Sequence, residues 1–138
     1  MLAKLQERPS TLNDENGFTL IELLVVLIII GVLLAIAVPS YLGFKDKAQQ
    51  TASAADVREA EPSAEAFYSD HNTYVGIGVG ALQTYDSGLS PDIKTVAGGA
   101  THYCISALNG SWYSHVVGPG GTVATKETTN FCATWTAS

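Results

Sequence analysis

Residues 17–39 read GFTLIELLVVLIIIGVLLAIAVP, an apolar run whose polar side chains are those of Thr19 and Glu22. The 21 residues from Phe18 to Val38 would span about 30 Å as a helix, which is the thickness of the hydrocarbon core of a bilayer. A secretory signal has a shorter apolar centre, of about 7–15 residues, before its cleavage site. The length therefore predicts a transmembrane helix, and cleavage after Ala37 is the alternative interpretation.

Glu22 is the one charged residue of this run. A carboxylate in hydrocarbon costs about 2.5–3.5 kcal/mol, so such a residue usually has a partner. If the chain were cut after Gly17, the new amine of Phe18 would lie one helical turn from Glu22. In a bundle of identical helices, Glu22 could pair with the amine of the next copy and fix the axial stagger, because any other register leaves a buried charge unpaired. The alternative is that Glu22 reaches up to the membrane interface.

The sequence from Gly17 to Tyr41 closely resembles the N-terminus of type IV pilins and of the pseudopilins of type II secretion. The resemblance implies that Gly17 precedes the bond cut by the prepilin peptidase and that Phe18 becomes the N-methylated N-terminus. It also implies that Glu22 is needed for assembly and methylation, and that Pro39 bends the helix.

Two helix-perturbing residues, Gly31 and Pro39, lie inside or at the end of the membrane helix. Proline removes a backbone hydrogen bond and clashes with the carbonyl four residues earlier, so we expect a bend between Ala35 and Pro39. Ordinary tolerance of glycine and proline in membrane helices is the alternative.

Four segments follow from these patterns. Residues 1–17 are hydrophilic and are predicted to be a cleaved leader, and residues 18–39 are the transmembrane and polymerisation helix. Apolar and small side chains at three- and four-residue spacing predict an amphipathic helix over residues 40–74, with a kink or restart at Pro62. Residues 75–138 are predicted to be a loop followed by an antiparallel sheet with a C-terminal disulfide loop.

The C-terminal third has the composition of β-strands. Residues 102–108 and 111–117 flank Asn109-Gly110, a strong signal for a two-residue hairpin loop, and residues 131–135 are predicted to be the last strand. Residues 82–100 are rich in turn formers. We therefore expect an α+β fold of the type IV pilin kind: a long N-terminal helix, half membrane-spanning and half amphipathic, packed on a small antiparallel sheet.

Cys104 and Cys132 are the two cysteines, and neither has a Cys or His neighbour at metal-ligand spacing. An exported chain meets an oxidising compartment, where such a pair forms a disulfide. Closing this loop would stabilise the fold by about 3–4 kcal/mol. The bridge would tie the terminal strand to the first strand of the hairpin.

Catalytic and cofactor-binding patterns are missing from the sequence. His71, His102 and His115 are isolated in different segments, so we expect no metal site, no cofactor and no enzymatic activity. The net charge of −6 comes without a basic patch, so nucleic acid binding is not indicated.

The resemblance implies a structural subunit of a type IV pilus, which polymerises with other copies into a surface filament for adhesion, motility or DNA uptake. Its implied partners are a prepilin peptidase and methyltransferase, an inner-membrane assembly platform with its ATPase, and membrane lipid before assembly. The implied location is a single-pass pool in the cytoplasmic membrane, then the extracellular filament. The alternatives are a pseudopilin of a type II secretion system, a minor pilin acting as a binding module, and a membrane-tethered domain that does not polymerise.

Overall fold

The computed structural model describes residues 17–136 and confirms the predicted α+β class. The elements in chain order are helix α1 (Leu20–His71), helix α2 (Val79–Tyr85), strands β1 (Ile93–Gly98), β2 (Tyr103–Asn109), β3 (Trp112–Gly118) and β4 (Ala124–Glu127), and a 3₁₀ turn (Phe131–Ala133). The chain divides after Pro39 into two compact units, an apolar helical unit and a head.

Helix α1 continues through Pro62 and supplies the helical layer of the head. Its buried side chains include Val57, Ala60, Ala64 and Phe67, at steps of three, four and three residues, so they form one stripe. Small residues in this stripe let the helix approach the sheet closely. The helix ends at His71 because Asn72 adopts a left-handed conformation, with φ 55°.

The sheet is an antiparallel meander in the order β1-β2-β3-β4. Side chains alternate between its two faces. Those that face the helix close the core with the α1 stripe, and they include Tyr103, Ile105, Ala107 and Val116.

The β2–β3 loop is Gly110-Ser111, one residue later than the predicted Asn109-Gly110. Asn109 instead pairs with Trp112 in the ladder and donates a side-chain hydrogen bond to Asp92 (3.2 Å). Gly110 has φ +60°, as the first loop residue of a type II′ turn requires, and a Cβ there would overlap the side chain of Gln49. The contact with α1 and the Asn109 hydrogen bond set the position of the turn.

The predicted last strand at residues 131–135 is wrong. The last strand is β4, and Phe131–Ala133 form a 3₁₀ turn. Cys104 is on the face of β2 turned away from α1, so its disulfide partner must lie above that face rather than beside an edge strand in the plane of the sheet. The region from residue 82 to 100, predicted from its turn formers, also contains the end of α2 and all of β1.

The C-terminal segment is held on the outer face of the sheet by three contacts. Cys104 and Cys132 form the expected disulfide, at a sequence separation of 28 residues. The Asn130 amide accepts a hydrogen bond from Ser106 Oγ (2.9 Å) and donates one to Thr95 Oγ1 (2.8 Å).

The third contact is the Phe131 ring, which stacks on His115 with ring centroids 4.4 Å apart. The pKa of His115 is lowered by its burial and by the charge of Lys126. The head thus has three layers: helix, sheet and C-terminal segment.

Hydroxyl groups join the helix to the sheet inside the head. Ser53 Oγ lies 2.7 Å from Ser114 Oγ, which lies 2.9 Å from Thr125 Oγ1. Ser53 and Ser114 are fully buried. A buried hydroxyl without a partner would cost about 1–3 kcal/mol, so this chain of hydrogen bonds favours one register of α1 on β3 and β4.

Gly98 provides a test of how closely this core is packed. A Cβ at Gly98 would overlap the Tyr74 carbonyl oxygen and lie 2.8 Å from the Tyr74 Cβ. We expect Gly98→Ala to lower the free energy of unfolding by about 2 kcal/mol through overpacking. The measurement is guanidinium unfolding of the detergent-solubilised chain, followed by tryptophan fluorescence.

Gly80→Ala is the matched control, because a Cβ at Gly80 in α2 would meet no atom within 4 Å. It should leave stability unchanged or raise it by up to about 1 kcal/mol. Equal unfolding midpoints for the two variants would contradict the packing described for Gly98.

Candidate functional site

The helical unit presents an apolar surface that nothing in the described chain covers. Every large hydrophobic side chain from Phe18 to Val38 is at least 46% exposed. The most apolar window of α1 has a mean hydropathy of 3.2 with none of its residues buried, so by length and composition this part of the helix can cross a membrane. An exposed apolar surface of this extent is typical of a membrane or protein contact site.

Thr19 and Glu22 form a capping box at the start of α1. Glu22 Oε2 accepts hydrogen bonds from the backbone N–H of Thr19 (2.9 Å) and from its hydroxyl (2.7 Å). In return, the Glu22 N–H donates to Thr19 Oγ1 (3.3 Å). Each side chain thereby satisfies a backbone N–H that the first turn of a helix leaves without a partner.

This capping box went unnoticed in the sequence, although its signal is there: Thr19-x-x-Glu22 directly before an apolar run. It gives the carboxylate hydrogen-bond donors within its own chain. Both donors are neutral, however, and the salt bridges within residues 17–136 do not include Glu22. The negative charge therefore still lacks a cation in the described part of the chain.

The Gly17–Phe18 bond lies in the non-helical segment just before α1. Residues 17–19 are exposed, and the Phe18 side chain is 81% exposed. Helix α1 begins at Leu20, so Phe18 and Glu22 are at the same end of the helix.

Gly31 and Pro39 both lie within α1, away from Glu22. A Cβ on Gly31 would meet no atom within 4 Å, so no contact within residues 17–136 requires a glycine there. A small residue on a membrane helix lets a second helix approach closely. The bend predicted at these two positions stays a prediction.

Each of the three histidines has a separate local contact in the head. The rings of His71 and His115 stack on Phe67 and Phe131 respectively. His102 Nδ1 forms a hydrogen bond with the hydroxyl of Thr101 (2.8 Å). Within residues 17–136, no group of three or more His, Cys, Asp or Glu side chains is arranged to hold a metal ion.

Comparison with known proteins gives one family match, at the N-terminus. Residues 12–38 match the family described as the prokaryotic N-terminal methylation motif. The chain is 37% identical over 60 residues to the type II secretion system core protein G of Aeromonas hydrophila, covering 44% of this chain and 42% of that protein. It is 37% identical over 68 residues to the type IV major pilin protein PilA of Myxococcus xanthus, covering 49% of this chain and 31% of that protein. It thus spans less than half the length of these two relatives.

A longer match extends over most of the chain. The type IV wide pilus major component PilA4 of Thermus thermophilus is 31% identical over 112 residues, which cover 81% of this chain and 80% of that protein. Because α1 ends at His71, an alignment of this length must include part of the head as well as the helix.

The capping box can be tested at Thr19. Thr19→Val removes the hydroxyl and keeps the branched shape, whereas Thr19→Ser keeps the hydroxyl. We expect the valine variant to destabilise the first turn of α1 by about 1 kcal/mol and to speed amide hydrogen exchange there about fivefold. NMR exchange rates of Leu20 to Glu22 in detergent micelles are the measurement. Serine should behave as wild type, and equal rates in all three proteins would contradict the capping box.

Proposed function

We propose that this chain, which belongs to the type IV pilin family, is the structural subunit of a type IV pilus. In this proposal it is processed after Gly17, held in a membrane by α1, and polymerised through that helix into a surface filament. Adhesion, motility or DNA uptake would follow from the filament rather than from a catalytic centre.

The exposed apolar surface of residues 18–38 is the observation that carries this proposal. The side chains from Phe18 to Val38 expose hydrocarbon on every side of the helix. In water this surface would be costly, at about 25 cal/mol per Å². Lipid can cover it before assembly, and the equivalent helices of other copies can cover it in a filament.

Removal of residues 1–17 would give Glu22 its missing cation. The cut would leave a free amine on Phe18, at the end of α1 where Glu22 already lies. Methylation of that amine keeps its positive charge. The capping box holds the Glu22 carboxylate near the start of the helix, where the amine of a neighbouring copy can reach it.

Pairing of Glu22 with an amine on an adjacent copy would fix the stagger between subunits. In an apolar helix bundle, any other register would leave a charge without a partner, at a cost of several kcal/mol. Gly31 and Pro39 are the positions where we propose that α1 bends to fit among its neighbours.

The proposed partners follow from this sequence of events. A prepilin peptidase and methyltransferase act on Gly17 and Phe18, and an inner-membrane assembly platform with its ATPase extracts the subunit from lipid. The chain is then a single-pass protein of the cytoplasmic membrane before assembly and part of an extracellular filament afterwards. In this scheme residues 1–17 are the leader, 18–39 the polymerisation helix, and 40–138 the head.

A pseudopilin of a type II secretion system is the alternative, favoured by the similarity to core protein G. Two observations support the pilin instead. The match that covers 81% of this chain is to a major pilus component. The head also has its C-terminal segment closed by the Cys104–Cys132 disulfide, which the family resemblance associates with pilins.

Substitutions of Glu22 test the proposed assembly role. Glu22→Ala removes both the capping hydrogen bonds and the charge, whereas Glu22→Gln keeps an oxygen that can accept from Thr19 but removes the charge. If charge pairing sets the stagger, both variants should insert into the membrane normally and yield at least about tenfold less sheared filament than wild type, because either substitution leaves the neighbouring amine without its carboxylate.

The comparison of the two variants separates charge from capping. If Glu22→Gln gives the wild-type yield of filament while Glu22→Ala gives less, the loss of filament is due to the capping box. That result would contradict the charge-pairing role. Absence of any filament from the wild-type chain, in cells with a working assembly system, would contradict the proposed function itself.

A further inference from the structure

A groove with a positive charge at each end lies on the head between α1 and β4. It has a volume of about 360 Å³. Ala54 and Ala55 line it from the helix, and Val123 and Thr125 from the β4 side. Lys47 and Arg58 also line it, and they are 11 residues apart on α1, which is about three turns or 16 Å along one side of the helix. We call this the basic groove.

In the described part of the chain, neither cation of the basic groove forms a salt bridge with an acidic side chain. Lys47 and Arg58 are exposed, and within residues 17–136 the salt bridge that forms is Lys94–Asp92, on a different part of the head. The head contains five Lys and Arg residues and nine Asp and Glu residues, so it is acidic as a whole. The two cations without a salt bridge therefore form a local positive patch on an acidic head, and the net charge of the head does not reveal it.

A second groove, about 350 Å³ in volume, carries the opposite charge. It lies between α1 and the end of α2, with Glu59 and Asp86 as its charged residues and Pro62, Ser63 and Ala66 among its lining. The Gly88 N–H donates to Asp86 Oδ1 (2.8 Å), which holds that carboxylate in place. Glu59 is exposed and forms no salt bridge within residues 17–136. We call this the acidic groove.

The two grooves cannot neutralise each other within one copy. Arg58 and Glu59 are consecutive on α1, so their side chains point about 100° apart around the helix axis and lie on different faces. The basic groove can therefore be neutralised by an acidic groove only if that groove belongs to a second copy. A contact between two different patches of identical chains is head-to-tail, and when its rotation does not close into a ring it generates an open helical filament.

We propose that the basic groove of one head binds the acidic groove of a second copy, with Arg58 and Lys47 donating to Glu59 and Asp86. Arg58 suits this contact because its planar guanidinium can bind a carboxylate with two parallel hydrogen bonds. The inference rests on the proposed filament and adds to it a contact between heads, distinct from the packing of the apolar helices.

A second copy fits the basic groove better than a nucleic acid does. A polyanion entering the basic groove would approach a protein of net charge −6, with the acidic groove on an adjacent face of the same helix. The acidic groove of another copy brings two carboxylates for the two cations, so the charges balance.

Charge reversal in full-length chains tests the contact. Arg58→Glu and Glu59→Arg, each expressed alone, should reduce sheared filament about tenfold, because each places like charges opposite one another. Co-expression of the two variants should restore the yield to within about threefold of wild type, since the glutamate introduced in one variant can then meet the arginine introduced in the other. Lys94→Glu is the control for an equal change of charge outside both grooves, and it should leave the yield unchanged.

The amount of each variant in the membrane, with its disulfide oxidised, shows whether the head has folded. Single variants that fold and polymerise as wild type would overturn the contact between heads and leave the proposed function standing. Single variants that fold but are not rescued by co-expression would also overturn it. Loss of DNA binding by Arg58→Glu at wild-type filament yield would assign the basic groove to nucleic acid instead. Failure of the wild-type chain to form filaments would contradict the proposed function.

Discussion

The apolar surface of residues 18–38 is the constraint from which the rest of the account follows. This stretch has sixteen large hydrophobic side chains, fifteen of them on α1, and no other element of the described chain covers them. Such a helix is stable in lipid or among similar helices, which are the two surroundings that the proposed membrane stage and filament stage provide. In the proposed filament, the charge at Glu22 would favour the one register in which it is paired, because an unpaired ion in hydrocarbon is costly.

The head is built so that its own stability does not depend on that helix surface. From Ser53 onward, α1 buries small side chains against the sheet, and the hydroxyls of Ser53, Ser114 and Thr125 fix its register. On the opposite face, the disulfide and Asn130 hold the C-terminal segment in place. A head with its own core can keep its structure during the proposed transfer of the apolar part of α1 from lipid to filament.

Much of this was predictable from the sequence, because the strongest signals are local. The length of the apolar run, the spacing of the α1 stripe and the alternation of strands β2 and β3 each depend on neighbours in the chain. The capping box is equally local, because Thr19 and Glu22 are three residues apart at the start of the apolar run. The position of Phe131–Ala133 could not be found this way, since a disulfide that crosses the face of the sheet, rather than residue propensity, places it. The turn at Gly110 depends likewise on Gln49, which is far away in sequence.

The most direct test of the central claim is the intact mass of the subunit in filaments sheared from cells. If the apolar helix is released from its leader and enters the filament, the subunit begins at Phe18, carries one methyl group on its amine, and is two hydrogens lighter than the reduced chain because of the Cys104–Cys132 bond. A subunit that still begins at Met1, or one found only in the membrane and never in sheared material, would contradict the account.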